Sequence, residues 1–587
     1  QHENNPVHWL PWNKEAIKKA KEFKKPIFLS VGYASCHWCH VMAHESFENI
    51  ETAKIMNEKF INIKVDREER PDLDFVFQKS LAVLTGAQGG WPLSMFLDEN
   101  GVPFTGGTYF PPKEMQGRPD FIKVLKNVSE VYSSNRNKIL EQAPQMRMVF
   151  EELNKKSAVI NQDLKQYVER IIPYLDPKFG GFQGSPKFPQ FYIFDTLFYF
   201  YIKTKESKYM EAVKILLFNV CSRGIYDHLA GGIARYTVDG EWVVPHFEKM
   251  LYDNILFINL LSQFYQYSND QYYKDKLIQT IKFISNDFIN NDGLLGSAYD
   301  ADTDGVEGKF YVWSFNELEK TLGSDFSFFK EKYDISESGN WENKNILLEK
   351  DPFNLNQDEK NKINKLKKKL IIERNKRTKP FFDDKAQTDL NCYWISTIIK
   401  SSLILNDPNL MNSAIALYEL LEKKLNNTIF HTEKLASVPA FLEDYTYYSK
   451  MLIELYECTG DTKYLKKAEI NMNETWDLFF DIKKEILHKN PLNINDLFVN
   501  PIDISDNNIP NGNSIYLESC QKLKLITNKN EWKNKLEILK KSYHSFINLN
   551  STQMFSFIKT LDICENNISI TFYGEKFLNS EIKNNLQ

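Results

Sequence analysis

Residues 26–31 read Pro26-Ile27-Phe28-Leu29-Ser30-Val31, continue through Gly32-Tyr33-Ala34-Ser35, and reach Cys36-His37-Trp38-Cys39-His40. A short apolar run of this kind suits a buried strand. The cysteine pair follows at once, at the position where a helix would begin. Free backbone N–H groups and the positive end of the helix dipole stabilise a thiolate there. Cys36 is therefore the expected attacking nucleophile. Cys39, one turn on, is the expected resolving thiol. A protonated His37 would lower the Cys36 pKa further, and the thiol is expected to be at least partly exposed.

Working outward, Asn13 to Lys25 reads as an amphipathic helix with Ala16, Ile17, Ala20 and Phe23 on one face. Phe60–Val65 and Leu93–Leu97 read as strands, and Asn100-Gly101 is a hairpin turn signal. Strand, helix, strand and a hairpin of strands is a thioredoxin-like order. Trp91-Pro92 stands immediately before one of these strands. A cis X–Pro bond costs only ~0.5–1 kcal/mol over trans. In this order it would lie opposite the cysteines and offer the Trp91 backbone to an extended substrate. Catalytic roles are thus expected for Cys36, Cys39, His37 and Pro92, and a binding role for Trp91.

The motif has two other readings. Cys36 to His40 also spells the CxxCH pattern of haem attachment, but the preceding strand argues against it. Cys36, Cys39, His40 and His44 supply metal-type donors, with the two histidines one helical turn apart, so a zinc site stands as a minority reading. No resident metal or cofactor is expected. The other five cysteines (Cys221, Cys392, Cys458, Cys520, Cys564) are scattered singly and read as small buried hydrophobes.

A chain of 587 residues is long enough for two to four domains of ~100–200 residues. Its 42% hydrophobic and 26% charged content is that of a globular protein. A net charge of -5 gives no pull toward nucleic acid or anionic membrane. No apolar run approaches the ~18 residues that span a bilayer. Few cysteines in so long a chain fit a reducing, cytoplasmic setting.

Beyond about residue 120 the strand signals thin out. Helix-period segments replace them at 160–175, 191–203, 208–224, 246–266, 273–290, 393–405, 411–425, 441–457 and 463–480. Such a series reads as stacked αα-hairpins. The aromatic content of 14% is assigned to core rather than to sugar stacking. Lys362 to Arg377 reads as a solvated helix face. Ile568–Tyr573 is strand-like, and a small terminal α/β element, cut short, is expected there. The expected division is 1–118, a helical linker at 119–158, a helical domain at 159–550 and a terminal element at 551–587.

Longer stretches carry a family resemblance. They are NNPVHWLPW (4–12), KPIFLSVGYASCHWCHVMAHESF (25–47), INIKVDREERPDLD (61–74) and GGWPLSMFLDENGVPFTGGTYFPP (89–112). The helical part adds GGFQGSPKFPQ (180–190), GIYDHLAGGIARYTVDGEWVVPHFEKMLYDN (224–254), SAYDADTDGVEGKFYVW (297–313), DDKAQTDLN (383–391) and PNGNS (510–514). Together they resemble the spermatogenesis-associated protein 20-like family over nearly the whole chain. The resemblance implies an α/β thioredoxin-like domain followed by an all-α (α/α)6 toroid of the six-hairpin glycosidase type. Here Leu390 stands where family members commonly have Trp, and Ala230 interrupts a glycine-rich run. No acid precedes the motif on its strand to take the second thiol's proton.

Polar residues are dense in the helical part. Asp227, His228, Arg235, Asp239, Trp242, His246, Glu248 and Asp253 lie in one stretch, and Tyr299, Asp300, Asp302 and Glu307 in another. Such a mixture suits a sugar pocket at the toroid mouth, with His246 as general base and Asp300 or Glu248 as its acidic partner. Asp227, His228, Arg235, Trp242, Asp253, Tyr299 and Asp302 would bind the ligand. The competing reading is that these residues are caps and turn ties. Asp300, Asp302 and Asp304 alternate as in a calcium loop, but no Glu closes it. Three functions stand: a thiol–disulfide redox protein with a dithiol or disulfide partner, a sugar epimerase or hydrolase with a carbohydrate ligand, and a binding platform with a redox or metal latch.

Overall fold

The computed structural model describes residues 2, 5–115, 117–157, 163–433, 438 and 440–566. The N-terminal part contains β1 (Trp9–Leu10), β2 (Ile27–Gly32), β3 (Ile61–Asp66), β4 (Leu93–Leu97) and β5 (Pro103–Gly107), in the sheet order β1-β3-β2-β4-β5. The strand read from the apolar run is β2. It is buried along its whole length, lying parallel to β3 and antiparallel to β4. Alternation along it feeds two cores. Ile27, Leu29 and Val31 pack with Ile63, Leu73, Phe77 and Leu93, whereas Phe28 packs with Phe47, Met56, Phe96 and Phe121. The turn between β4 and β5 places Gly101 at φ 82, which a glycine adopts without strain.

Helices α1 (Lys14–Phe23), α2 (His37–Met42), α3 (Ile50–Lys59) and α4 (Pro71–Thr85) flank this sheet. Asn13 caps α1 by accepting from the Ala16 N–H. A single turn of π-helix, Ala43–Phe47, extends α2. The long helix α5 (Phe121–Leu153) leads away, interrupted at Asn135.

The remainder is built of helix pairs. They are α6 (Leu164–Glu169), α7 (Phe191–Thr204), α8 (Ser207–Ser222), α9 (Leu251–Ser268) and α10 (Gln271–Asp287); then, in an insertion, α11 (Phe315–Leu322), α12 (Phe326–Lys332) and α13 (Gln357–Arg374). After it come α14 (Thr388–Leu405), α15 (Pro408–Leu425), α16 (Leu442–Thr459), α17 (Thr462–Phe479), α18 (Gly512–Thr527), α19 (Asn530–Asn550) and α20 (Phe555–Asn566). Helices α7, α9, α14, α16, α18 and α20 each touch the next, and α20 returns to α7, closing an inner ring. Helices α8, α10, α15, α17 and α19 pack outside their predecessors, and α6 lies against α20. Inner α16 is buried on every side from Leu442 to Leu455, whereas outer α17 buries only one stripe. That is how a double ring distributes apolar surface. The ring is the (α/α)6 toroid that the resemblance implied. No described helix is long and apolar enough to cross a membrane.

Several boundaries differ from expectation. The helix expected from 246 starts at Leu251, because Lys249–Met250 is extended and pairs with Ala298–Tyr299. The segment expected at 160–175 is only the short α6 and a 3-10 turn, Ile172–Tyr174, whose proline cannot extend an α-helix. Residues 158–162 and the strand expected at Ile568–Tyr573 lie outside the described residues. The basic face of α13 is not wholly solvated: Arg374 is buried against Asp227, and Lys367 reaches Glu349.

Candidate functional site

Cys36 is the N-cap of α2, where its sulfur accepts from the Cys39 N–H at 3.2 Å. The two cysteines form a disulfide, with Cα atoms 5.2 Å apart. Contrary to expectation, Cys36 is buried, at 3% exposure. Tyr33 and Trp91 pack on it, and its neighbours Ser35 and His37 bond to Glu248 and Asp302 on the loops of the helical ring. Trp38 points outward instead, half exposed beside Tyr109. The Trp91–Pro92 bond is cis, as the sequence order implied. The Trp91 indole donates to Asp74 at 2.9 Å, and the Arg67 guanidinium stacks over Trp91 and Tyr33 at 4.2 and 4.3 Å.

The segment Tyr33–His40 is tied side chain by side chain to the ring. His37 Nδ1 lies 2.9 and 3.1 Å from the two Asp302 oxygens. His40 Nε2 lies 3.1 Å from Asp300. Ser35 and Tyr33 donate to the two oxygens of Glu248, both at 3.3 Å. Arg235 donates to Tyr33 at 2.6 Å and to Glu248 at 3.0 Å. Asp302 raises the His37 pKa, chiefly through their hydrogen bond. Burial works against the charge on Asp302, but the His37 hydrogen bond holds its pKa below the usual range. The acidic loop read as a sugar pocket therefore faces the cysteine motif.

His246 also stands at this seam, its ring 6.1 Å from that of His37. Its acidic partner is Glu307, at 2.8 Å, and not the expected Asp300 or Glu248. Asp300 is engaged by His40 and Glu248 by Arg235. The minority zinc quartet does not assemble. Cys36 and Cys39 are joined to each other, and His44 is exposed and paired with Glu48.

Four further residues expected in the pocket are structural ties. Asp227 is held by Lys249 and Arg374 at 2.8 and 2.9 Å, which outweighs its burial and keeps it ionised. His228 contacts the Arg223 carbonyl at 2.9 Å and lies 3.3 Å from Glu349, with burial pushing its pKa down. Trp242 is fully buried and donates to the Phe179 carbonyl at 2.8 Å. The Tyr299 hydroxyl donates to the Asp287 carbonyl at 2.6 Å. Polar groups this enclosed persist because their partners are inside as well.

A cavity of about 1090 Å³ opens next to the seam, between the N-terminal domain and the ring. Arg67, Asp74 and Trp91 of the N-terminal domain line it, as do Arg235, Asp253 and His431 of the ring. One Asp253 oxygen is buried with no hydrogen-bond partner, and burial pushes its carboxyl up to about 8. His431 Nδ1 bonds Asp444 at 2.9 Å, and Nε2 bonds the Glu68 carbonyl at 2.7 Å. Burial opposes charge here, but Asp444 prevails and holds His431 at about 9. Asp389, His431 and Asp444 converge within 4.8 Å. Both His431 nitrogens are taken by protein partners, Asp444 and the Glu68 carbonyl. Tyr33, Arg67, His431 and Asp444 were not singled out from the sequence. Arg67 sits inside the quoted INIKVDREERPDLD block, but nothing local marks His431 or Asp444.

A family profile for thioredoxin-like DsbH proteins, described as "Protein of unknown function, DUF255", matches residues 1–151. Human spermatogenesis-associated protein 20 is 31% identical over 544 residues, covering 82% of this chain and 69% of its own length. An uncharacterized protein of Caenorhabditis elegans is 32% identical over 535 residues, covering 82% and 73%. Among solved structures, a D-mannose isomerase aligns at TM-score 0.44 and 12% identity over 68% of this chain and 96% of its own. A GH76 α-mannanase from Bacteroides thetaiotaomicron aligns at 0.40 and 12% over 69% and 96%.

Proposed function

The chain belongs to the spermatogenesis-associated protein 20 family, and on that premise we propose that it is a thiol–disulfide oxidoreductase whose Cys36–Cys39 pair works against the mouth of the helical ring. One observation carries this reading: Tyr33, Ser35, His37 and His40, the residues around the cysteines, all bond to acidic residues of the ring. A free-standing redox motif would leave that face open to its substrate. Cys36 is the attacking thiol, Cys39 resolves, and Trp91-Pro92 binds the partner's backbone. The partner is a dithiol or disulfide that gains access when the seam opens, in a reducing, cytoplasmic setting. The working division is 1–118, 119–158 and a ring from 159 that runs past the expected limit of 550 to include α20 (Phe555–Asn566). Equilibrating the chain in graded glutathione buffers tests this. The pair should open and close as a two-electron couple within the physiological range. A pair that stays in one state throughout would remove the reading.

A second reading rests on Asp253. A carboxyl kept neutral near pH 7, with an unpartnered oxygen, beside Arg235 and Trp91, suits a polyhydroxylated ligand such as a carbohydrate. Asp253→Asn should then weaken sugar binding measured by calorimetry, while Cys36→Ser leaves it unchanged. Silence across a broad panel of reducing sugars counts against it.

A further inference from the structure

Closing or opening the disulfide moves a proton on and off Cys39, and Cys39 is 2% exposed. Water does not reach it freely, so a neighbouring group must carry the proton. The strand beneath the motif has no carboxylate. In the register of β2 and β3, Ser30 stands opposite Lys64. The Lys64 ammonium donates to the Ser30 hydroxyl at 2.9 Å. Gly32, two residues along the same strand, lies between the lysine and the sulfur. A β-carbon there would lie 2.8 Å from the Cys39 sulfur and 3.6 Å from the Lys64 nitrogen. The missing side chain leaves one small space that both atoms border.

We propose that Lys64 is the proton carrier for Cys39, standing where the strand lacks a buried acid. This rests on the redox reading above.

Other groups around the lysine do not compete for the role. Among the described residues Lys64 has no ion-pair partner. Asp66, further along β3, is engaged by Lys385 at 2.5 Å. His2 is pushed down to about 3, by burial first and by Lys64 second, and stays neutral. His40, on α2, pairs with Asp300. The rings of Trp9 and Phe47 lie 5.9 and 5.8 Å from the lysine nitrogen. Burial lowers the Lys64 pKa to about 8, so close to neutral pH part of it is the free amine that can accept a proton and the rest the ammonium that can return one.

With oxidised glutathione as probe, the Cys36 thiolate attacks one glutathione sulfur and a glutathione thiolate leaves. The neutral Lys64 amine then takes the Cys39 proton. The Cys39 thiolate attacks the Cys36 sulfur, the Cys36–glutathione bond breaks, and the second glutathione leaves as thiolate. In reduction the same lysine, as ammonium, returns the proton to Cys39.

The test is a quenched-flow time course on the full chain, with the Cys36–glutathione adduct quantified by mass. In Lys64→Met the adduct should accumulate and resolve at least tenfold more slowly at pH 7. Lys64→Arg keeps the charge but cannot give up a proton, and should be equally slow. Both should lose the rise in resolution rate expected of wild type around pH 8. Ser30→Ala, which leaves the lysine in place, should retain that rise and report on folding. If wild type exchanges with glutathione and both lysine variants resolve at its speed and with its pH profile, the lysine assignment alone is overturned. If wild type never exchanges, the redox reading falls and this proposal falls with it.

Discussion

Two of the histidine–aspartate pairs, one at the seam and one beside the cavity, differ in what surrounds them. His37–Asp302 bridges the two domains at the seam, with side chains 22% and 14% exposed. His431–Asp444 joins two residues of the ring, with 4% and 0% exposed, and His431 also reaches the Glu68 carbonyl of the N-terminal domain. The contact is 2.9 Å in both. In the seam pair, opening of the domains returns both partners to water. In the inner pair, neither partner has water to fall back on, so the charge is part of the fold. The same chemistry thus serves a movable contact in one place and a fixed one in the other.

The largest effect should come from breaking the inner pair. Asp444→Asn leaves a buried imidazolium without its carboxylate, a change that costs about 3–5 kcal/mol. Urea unfolding should show it as a lower midpoint at pH 7. The pH dependence goes the same way. The folded pKa of about 9 lies above the ordinary value of 6.5. The pair's contribution is therefore complete below 6.5 and lost as pH rises through 9. That loss should be absent in Asp444→Asn.

The seam pair should give a smaller effect, in access rather than stability. Asp302→Asn should cost about 1 kcal/mol of the closed seam, equivalent to roughly fivefold in its opening. The His37 pKa is raised from 6.5 and that of Asp302 lowered from 3.8. The tie is strongest between these two values. It weakens as pH rises through the folded His37 pKa, and as it falls through that of Asp302. Hydrogen exchange at Tyr33–His40 should be slowest in that window.

The smallest effect should follow changes at Trp38. Half exposed, it meets the rings of Tyr109 and His37. Trp38→Ala should shift the unfolding midpoint by well under the ~3–5 kcal/mol of a buried aromatic deletion. It should leave the redox midpoint within error of wild type.

The reach of the sequence differs between these regions for a physical reason. β2, the cysteine helix and the cis Trp91–Pro92 bond follow from local order: an apolar run, a motif, a proline. The ties on either side of Cys36 do not, because its neighbours Ser35 and His37 are met by Glu248 and Asp302, over two hundred positions away. Likewise Asp227 and Asp302 look alike in the chain. One is consumed by Lys249 and Arg374 and the other reaches across to His37, and only the packing decides which. His431 and Asp444, the latter in the first turn of α16, pair over 13 positions, and no short spacing marks them.

The central claim, that the cysteine pair works at a seam the ring closes, is tested most directly by alkylation of the reduced chain. Cys36 labelling should be followed by mass spectrometry in wild type and in Asp302→Asn, with the buried Cys221, pushed up to about 12 by burial, as internal reference. Wild-type Cys36 should label slowly but ahead of Cys39 and Cys221. Asp302→Asn should speed Cys36 roughly fivefold and leave Cys221 unchanged. Equal Cys36 rates in the two proteins, or labelling no faster than at Cys221, would contradict it.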